Sequence, residues 1–203
     1  MRSIRFTGIA AALYLAASAS MAADVTQIPD NIRSQFGPDD TIIAMKSASP
    51  LGLDASGTVV AVRYASDDPQ KPAHCELIVF RGDHAKVATS EHNSNVVDCI
   101  NNETNKTAGT LAANDQLTVT PTQIAYVNLL PRGGTAYTFN WCRRFFAWHL
   151  QRVEASSVYN GEKGPVVRRS TLDFPMRLTW INLSDFDPKL VRDDLAKNLK
   201  TLK

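Results

Sequence analysis

The side chains that could do chemistry in this chain are scattered acids and histidines, and their spacing matches no strong catalytic motif. There is neither a Gly-x-Ser-x-Gly nucleophile elbow nor a Ser-x-x-Lys pair. Glu154 and Asp173 lie on neighbouring predicted strands, and paired carboxylates hydrolyse glycosides when they face one cleft about 5 to 9 Å apart. Together with His149, these two acids support an alternative interpretation of the chain as an enzyme. We assign no catalytic residue.

The histidines do not form a metal motif. His84 and the Glu91-His92 pair make the only local cluster, while His74 and His149 stand apart. The chain contains no His-Glu-x-x-His and no paired Cys-x-x-Cys. We therefore predict no metal site and no cofactor.

An aromatic and basic cluster is the most suggestive feature for binding. Trp141, Arg143, Arg144 and Trp148 lie close together in the sequence. Tryptophan and arginine are the types most enriched at the hot spots of protein interfaces. We predict that these four residues contact a partner protein. The alternative is that the tryptophans fill the core and the arginines flank a bulge.

Three cysteines, Cys75, Cys99 and Cys142, allow three pairings. Cys75–Cys99 is favoured because it closes the shortest loop around a polar, turn-rich segment. A bridge of this length stabilises the fold by roughly 3 kcal/mol in the chain-entropy account. Cys142 is then a free thiol among large aromatic residues.

The first 22 residues predict export. A basic start with Arg2 and Arg5 is followed by an alanine-rich apolar stretch and then by Ser20-Met21-Ala22. This order is typical of a cleaved signal peptide, and the stretch is too short and too alanine-rich for a membrane span. We expect a bacterial protein of the periplasm or cell exterior, with no transmembrane segment.

Charge argues against nucleic acid as the partner. The chain has 22 basic and 20 acidic residues, and loss of Arg2 and Arg5 with the leader balances the two at 20 each. A neutral chain has no overall field to attract a polyanion. Residues 23–203 are expected to form a single β-rich domain.

From Thr41 to about Leu183 the sequence predicts strands and turns. The odd positions from Tyr137 to Phe145 are apolar except for Arg143, and the apolar positions then shift parity, which predicts a bulge near 144–146. A hairpin is expected over 151–170, and the run Leu172–Trp180 predicts a strand that Pro175 places at an edge. Short strands are also predicted elsewhere, including 86–89 and 95–98.

The two ends of this region predict helices. Pro29 and Gly37 bracket one or two turns. Asp187 and Pro188 begin a second, amphipathic helix whose apolar residues recur to Leu202. The fold class is therefore mainly β: about ten antiparallel strands in a sheet or sandwich, or in propeller-like blades, with a short N-terminal and a C-terminal helix.

These features favour a non-enzymatic binding protein whose partner is another protein, for example an inhibitor or immunity protein against an envelope-targeting enzyme. One alternative is an envelope hydrolase that acts on peptidoglycan or polysaccharide through its carboxylates. Another is a structural component of an envelope assembly, joined by edge-strand pairing at the Pro175 strand. The sequence predicts no oligomeric state.

Overall fold

A computed structural model describes residues 27–52, 55–66, 74–82, 87–100, 109–161, 164–176 and 179–202. The predicted leader, residues 1–22, lies outside the described residues. The described residues form a mainly β structure, as predicted, with ten strands in two antiparallel sheets.

The first sheet has four strands in sequence order. They are β1 Thr41–Ala48, β2 Gly57–Tyr64, β3 His74–Gly82 and β4 Val87–Asn93. A four-residue helix, α1 (Asp30–Arg33), precedes them. Its buried Ile32 packs in a small apolar cluster with side chains of β1, β2 and β3.

The second sheet has six strands, of which the first five pair with their neighbours in chain order, while the last pairs with the fifth after a longer connection. Its strands are β5 Leu117–Thr120, β6 Gln123–Leu130, β7 Gly133–Cys142, β8 Ala147–Gly161, β9 Gly164–Asp173 and β10 Lys200–Leu202. Helix α2 (Lys189–Lys197) lies between β9 and β10 in the chain.

The main core lies between the two sheets. The four-stranded sheet contributes side chains such as Val59 and Leu77, and the six-stranded sheet contributes Tyr126, Phe139 and Trp148, all fully buried. Every second side chain of β7 points into this core, because successive side chains of a strand point to opposite faces of its sheet. Of the predicted arrangements, two packed sheets are the one observed.

The predicted bulge at 144–146 is wrong. Residues 143–146 form a four-residue turn that joins β7 to β8, and Trp141 lies directly opposite Trp148 across this hairpin. A hairpin with an even turn shifts the parity of apolar positions as a bulge does. The actual irregularity lies further along the hairpin, where β8 carries the extra residue Gln151 opposite the Thr138–Phe139 step of β7.

Two other predicted strands are also different in the structure. The run Leu172–Trp180 is not a separate strand, because β9 continues to Asp173 and ends before Pro175, which lacks an N–H for a ladder. Residues 95–98 form bends rather than a strand. There Asn93 Oδ1 accepts the backbone N–H groups of Asn95 (2.6 Å) and Val96 (3.0 Å), replacing ladder bonds.

The C-terminal helix is shorter than predicted. The Asp187 carboxylate accepts the backbone N–H of Lys189 at 2.8 Å, but the helix begins at Lys189 with Pro188 at the cap position, one residue later than predicted. The helix ends at Lys197, and Lys200–Leu202 form β10 against Arg169–Val167 of β9. The spacing of Leu199 and Leu202 favours a helix, but the backbone there pairs with the edge of β9 instead.

The predicted cystine is present. The Sγ atoms of Cys75 and Cys99 are 2.11 Å apart, and their Cα atoms are separated by 5.4 Å. Cys142 is free and partly buried. The bridge ties the start of β3 to Cys99, which lies just after the bends that follow β4.

Candidate functional site

The structure separates the four residues of the predicted binding cluster into a buried pair and an exposed pair. Trp148 is fully buried and Trp141 nearly so, and their rings lie 5.4 Å apart in the core. They therefore offer no contact surface, and the core-filling alternative holds for both tryptophans. Arg143 and Arg144 are exposed on the turn between them.

The β7–β8 turn carries two exposed phenylalanines beside the arginines. Phe145 is 49% exposed and Phe146 is 66% exposed. Phe146 adopts a φ of 52°, a left-handed conformation that costs a residue other than glycine on the order of 1 kcal/mol. The fold therefore holds an apolar ring in solvent at a strained position, which is a pattern associated with functional sites.

Trp180 completes the exposed aromatic group from another part of the chain. Its ring is 50% exposed and lies 5.7 Å from the ring of Phe145. The segment that carries it is fixed to β8, because Leu150 N–H donates to Ile181 O at 2.8 Å and Leu183 N–H donates to Trp148 O at 2.7 Å. We call Arg143, Arg144, Phe145, Phe146 and Trp180 the hairpin-tip surface.

The hairpin-tip surface is basic as well as aromatic. The Arg144 guanidinium lies 5.5 Å from the centre of the Phe145 ring. Neither Arg143 nor Arg144 forms an ion pair with any residue that the structure describes. Their charges are thus available to an acidic partner.

His149 lies beneath the aromatic rings. Its side chain is 5% exposed, and its ring is 5.4 Å from Phe145 and 5.2 Å from Trp180. Neither ring nitrogen has a hydrogen-bond partner within the described parts of the chain. Burial lowers the pKa of this imidazole from its ordinary value of 6.5, so the ring is neutral near pH 7.

The carboxylate of Glu91 contacts the backbone at the tryptophan pair. Glu91 Oε1 accepts the backbone N–H of Trp148 at 3.2 Å, whereas Oε2 has no partner among the described residues. Burial raises the pKa of Glu91 above 4.5, against the opposing effects of that hydrogen bond and of the Arg81 charge. The Arg81 guanidinium lies 4.4 Å from the Trp141 ring centre. These contacts hold the base of the hairpin, and Glu91 and Arg81 are both half-buried.

The acids considered for hydrolysis do not share an apolar cleft. Asp173 is exposed and accepts a 2.6 Å hydrogen bond from Arg152 Nε, its opposite residue on β8. Glu154 lies two residues further along β8, opposite Thr171. A glycosidase needs one acid in an apolar pocket, and an exposed acid paired with arginine is not in such an environment.

The histidines near β3 form a small surface cluster. Glu76 Oε1 lies 3.5 Å from both His74 Nε2 and His92 Nδ1, and Glu76 Oε2 accepts the Tyr64 hydroxyl at 3.0 Å. Within the described ranges, no group of three His, Cys, Asp or Glu residues is arranged to hold a metal ion. His84 lies outside the described residues.

A cleft of about 580 Å³ lies beside the cystine. Tyr137 lines it and is almost buried, and burial with the charges of Asp98 and Asp187 raises its pKa to about 12. Asn128 fixes one wall, because its side chain accepts Asp98 N–H at 2.8 Å and donates to Val96 O at 2.7 Å. The sequence carried no signal for this cleft, which forms from segments distant in the chain.

Comparisons with known proteins do not add an assignment. No family model, no curated protein and no solved structure matches this chain. In the part of the chain that the structure describes, no helix is long and apolar enough to cross a membrane. The function must therefore be argued from the site itself.

Proposed function

We propose that this chain is an exported, non-enzymatic binding protein that captures another protein through the hairpin-tip surface. An inhibitor or immunity protein against an envelope-targeting enzyme is the concrete form we propose. The observation that carries the proposal is the joint exposure of Phe145, Phe146 and Trp180 beside two arginines.

The composition of the surface supports protein binding. Aromatic residues and arginine supply most of the binding free energy at protein interfaces, because they bury large areas and donate directional hydrogen bonds. Exposed apolar rings that contact one another, as Phe145 and Trp180 do, mark interaction sites more often than single exposed rings do.

The way the surface is built also supports binding. The β7 and β8 ladder extends to Cys142 and Ala147, directly beside the turn. The Trp180 segment is held by backbone hydrogen bonds to β8. A surface whose backbone is fixed before binding loses little conformational entropy in the complex, which favours affinity.

Export rests on the predicted leader and on the cystine. A buried bridge such as Cys75–Cys99 persists in oxidising compartments and is rare in the cytosol. The charge balance expected after loss of the leader agrees with a protein rather than a polyanion as partner.

Binding by surface variants tests the proposal. Once a partner has been isolated, its Kd is measured for wild type, Phe146→Ala and Arg144→Gln. The matched control is Val158→Ala, an exposed apolar residue of β8 on the order of 35 Å along the strand from the tip. We expect Kd to rise about 30-fold in each tip variant, the hot-spot scale, and to be unchanged in the control. Equal Kd values in all four proteins would reject this surface as the binding site.

The hydrolase alternative has less support, because Asp173 is paired with Arg152 in solvent. The assembly alternative placed edge pairing at the Pro175 strand, but β9 ends at Asp173. Neither alternative is favoured by a specific feature of the structure.

A further inference from the structure

The imidazole of His149 is the least explained polar group near the hairpin-tip surface. Its side chain is more than nine-tenths buried, and both Nδ1 and Nε2 lack a partner within the described residues. Buried polar groups are nearly always hydrogen-bonded, so each exception in a folded protein calls for a physical reason. One such reason is that the imidazole forms its hydrogen bonds only in a complex with a partner.

The cover over His149 consists of side chains. The rings of Phe145 and Trp180 approach its ring at 79° and 70°, as edge contacts. Both covering rings are about half exposed. Rotation of these two side chains would expose the imidazole without breaking a backbone hydrogen bond, and side-chain rotations of this kind are common when interfaces form.

The charges around the imidazole select the chemistry of what could enter. Arg144 lies on the turn above it, over the Phe145 ring. The backbone of Asn182 forms an isolated β-bridge with the backbone of His149, and the Asn182 side chain donates to Asp185 at 2.9 Å. Glu91 Oε1 accepts Trp148 N–H. Arg144, by contrast, is exposed and forms no ion pair with a described residue.

We propose that Phe145 and Trp180 separate to admit a carboxylate of the partner protein, which accepts a hydrogen bond from His149 and pairs with Arg144. The apolar part of the entering residue then packs against the two displaced rings. This inference rests on the proposed function, since it specifies what the hairpin-tip surface recognises: an acidic group next to an apolar one. His149 is the residue that determines this specificity.

Two small probes test the inference on the intact protein. N-acetylphenylalanine carries an aromatic ring and a carboxylate, and N-acetylphenylalaninamide has the same ring without the charge. Each is titrated while the NMR signals of the Trp180 indole and the His149 imidazole are followed. We expect the acid to shift both signals with a Kd on the order of 1 mM and to bind at least about tenfold more tightly than the amide, as for hydrogen bonds to charged groups.

His149→Phe keeps a ring in place but removes both nitrogens, and His92→Phe is its control on an exposed histidine of the other sheet. We expect His149→Phe to reduce the preference for the acid to the part that Arg144 supplies, and His92→Phe to keep the wild-type preference. Equal binding of the two probes to wild type, or a preference that His149→Phe leaves undiminished, would overturn the inference. Either result would leave the proposed function standing if Phe146→Ala still weakens partner binding, so the two failures are distinguishable.

Discussion

Replacement of Trp148 by alanine separates the core from the surface more sharply than any other single change. The side chain is fully buried, and a tryptophan removes about 250 Å² from water. At about 25 cal/mol per Å² this gives an upper bound of about 6 kcal/mol. Alanine keeps part of that contact and the site relaxes, so we expect a loss of about 4 kcal/mol in the free energy of unfolding.

The matched change is Phe146→Ala on the same hairpin. Phe146 is 66% exposed, and alanine keeps the left-handed backbone at this position. We therefore expect its free energy of unfolding to stay within about 0.5 kcal/mol of wild type. The two variants differ in burial, although both remove an aromatic ring from one end of β8.

Urea unfolding followed by far-ultraviolet circular dichroism measures both variants without relying on tryptophan emission. With a slope of about 2 kcal/mol per M, a 4 kcal/mol loss lowers the midpoint by about 2 M. A Trp148→Ala midpoint equal to that of wild type would refute the placement of this ring in the core. An equally large drop in Phe146→Ala would refute the exposure of the tip.

Three further outcomes follow from the burial of single side chains. Iodide quenches part of the tryptophan emission of wild type but little of that of Trp180→Phe, because Trp141 and Trp148 are buried; undiminished quenching in the variant would contradict this. Burial raises the folded-state pKa of Glu91 above 4.5, so wild type loses stability relative to Glu91→Gln as the pH rises above 4.5 toward the raised pKa. A difference in the free energy of unfolding between the two proteins that does not change with pH would argue against this burial. Burial lowers the folded-state pKa of His149 below 6.5, so its contribution to the free energy of unfolding is full above that pH and is lost below it. In urea titrations between about pH 7 and pH 5, His149→Phe should therefore lose less stability than wild type. Identical pH profiles of the two proteins would count against the burial of this imidazole.

The strands of this fold follow from local patterns, but their arrangement at the hairpin tip does not. Alternation along Tyr137–Cys142 predicts which side chains are buried there, whereas along 147–150 it predicts the burial of Trp148 and Leu150 but not that of His149. The parity shift between them fits a bulge or a four-residue turn equally well. Residues 143–146 contain none of the residues that usually mark turns, and the turn forms with Phe146 in the left-handed region instead.

Contacts across the chain explain what sequence reasoning missed at the site. Alternation places Trp180 in a long strand, whereas the structure has it in a segment docked on β8 by backbone hydrogen bonds. The position of His149 beneath Phe145 and Trp180 depends on that docking. By contrast, the Cys75–Cys99 pairing followed from loop length alone, because both cysteines flank one short segment.

Site-specific photo-crosslinking tests the central claim most directly. A photoreactive phenylalanine analogue replaces Phe146 in one protein and Val158 in another, and each is irradiated with extract from cells that encode the chain. We expect one protein adduct at position 146 that wild-type chain in excess prevents and that Arg144→Gln weakens, with no such adduct at position 158. The same adduct at position 158 but not at 146, or no competed adduct at 146, would contradict it.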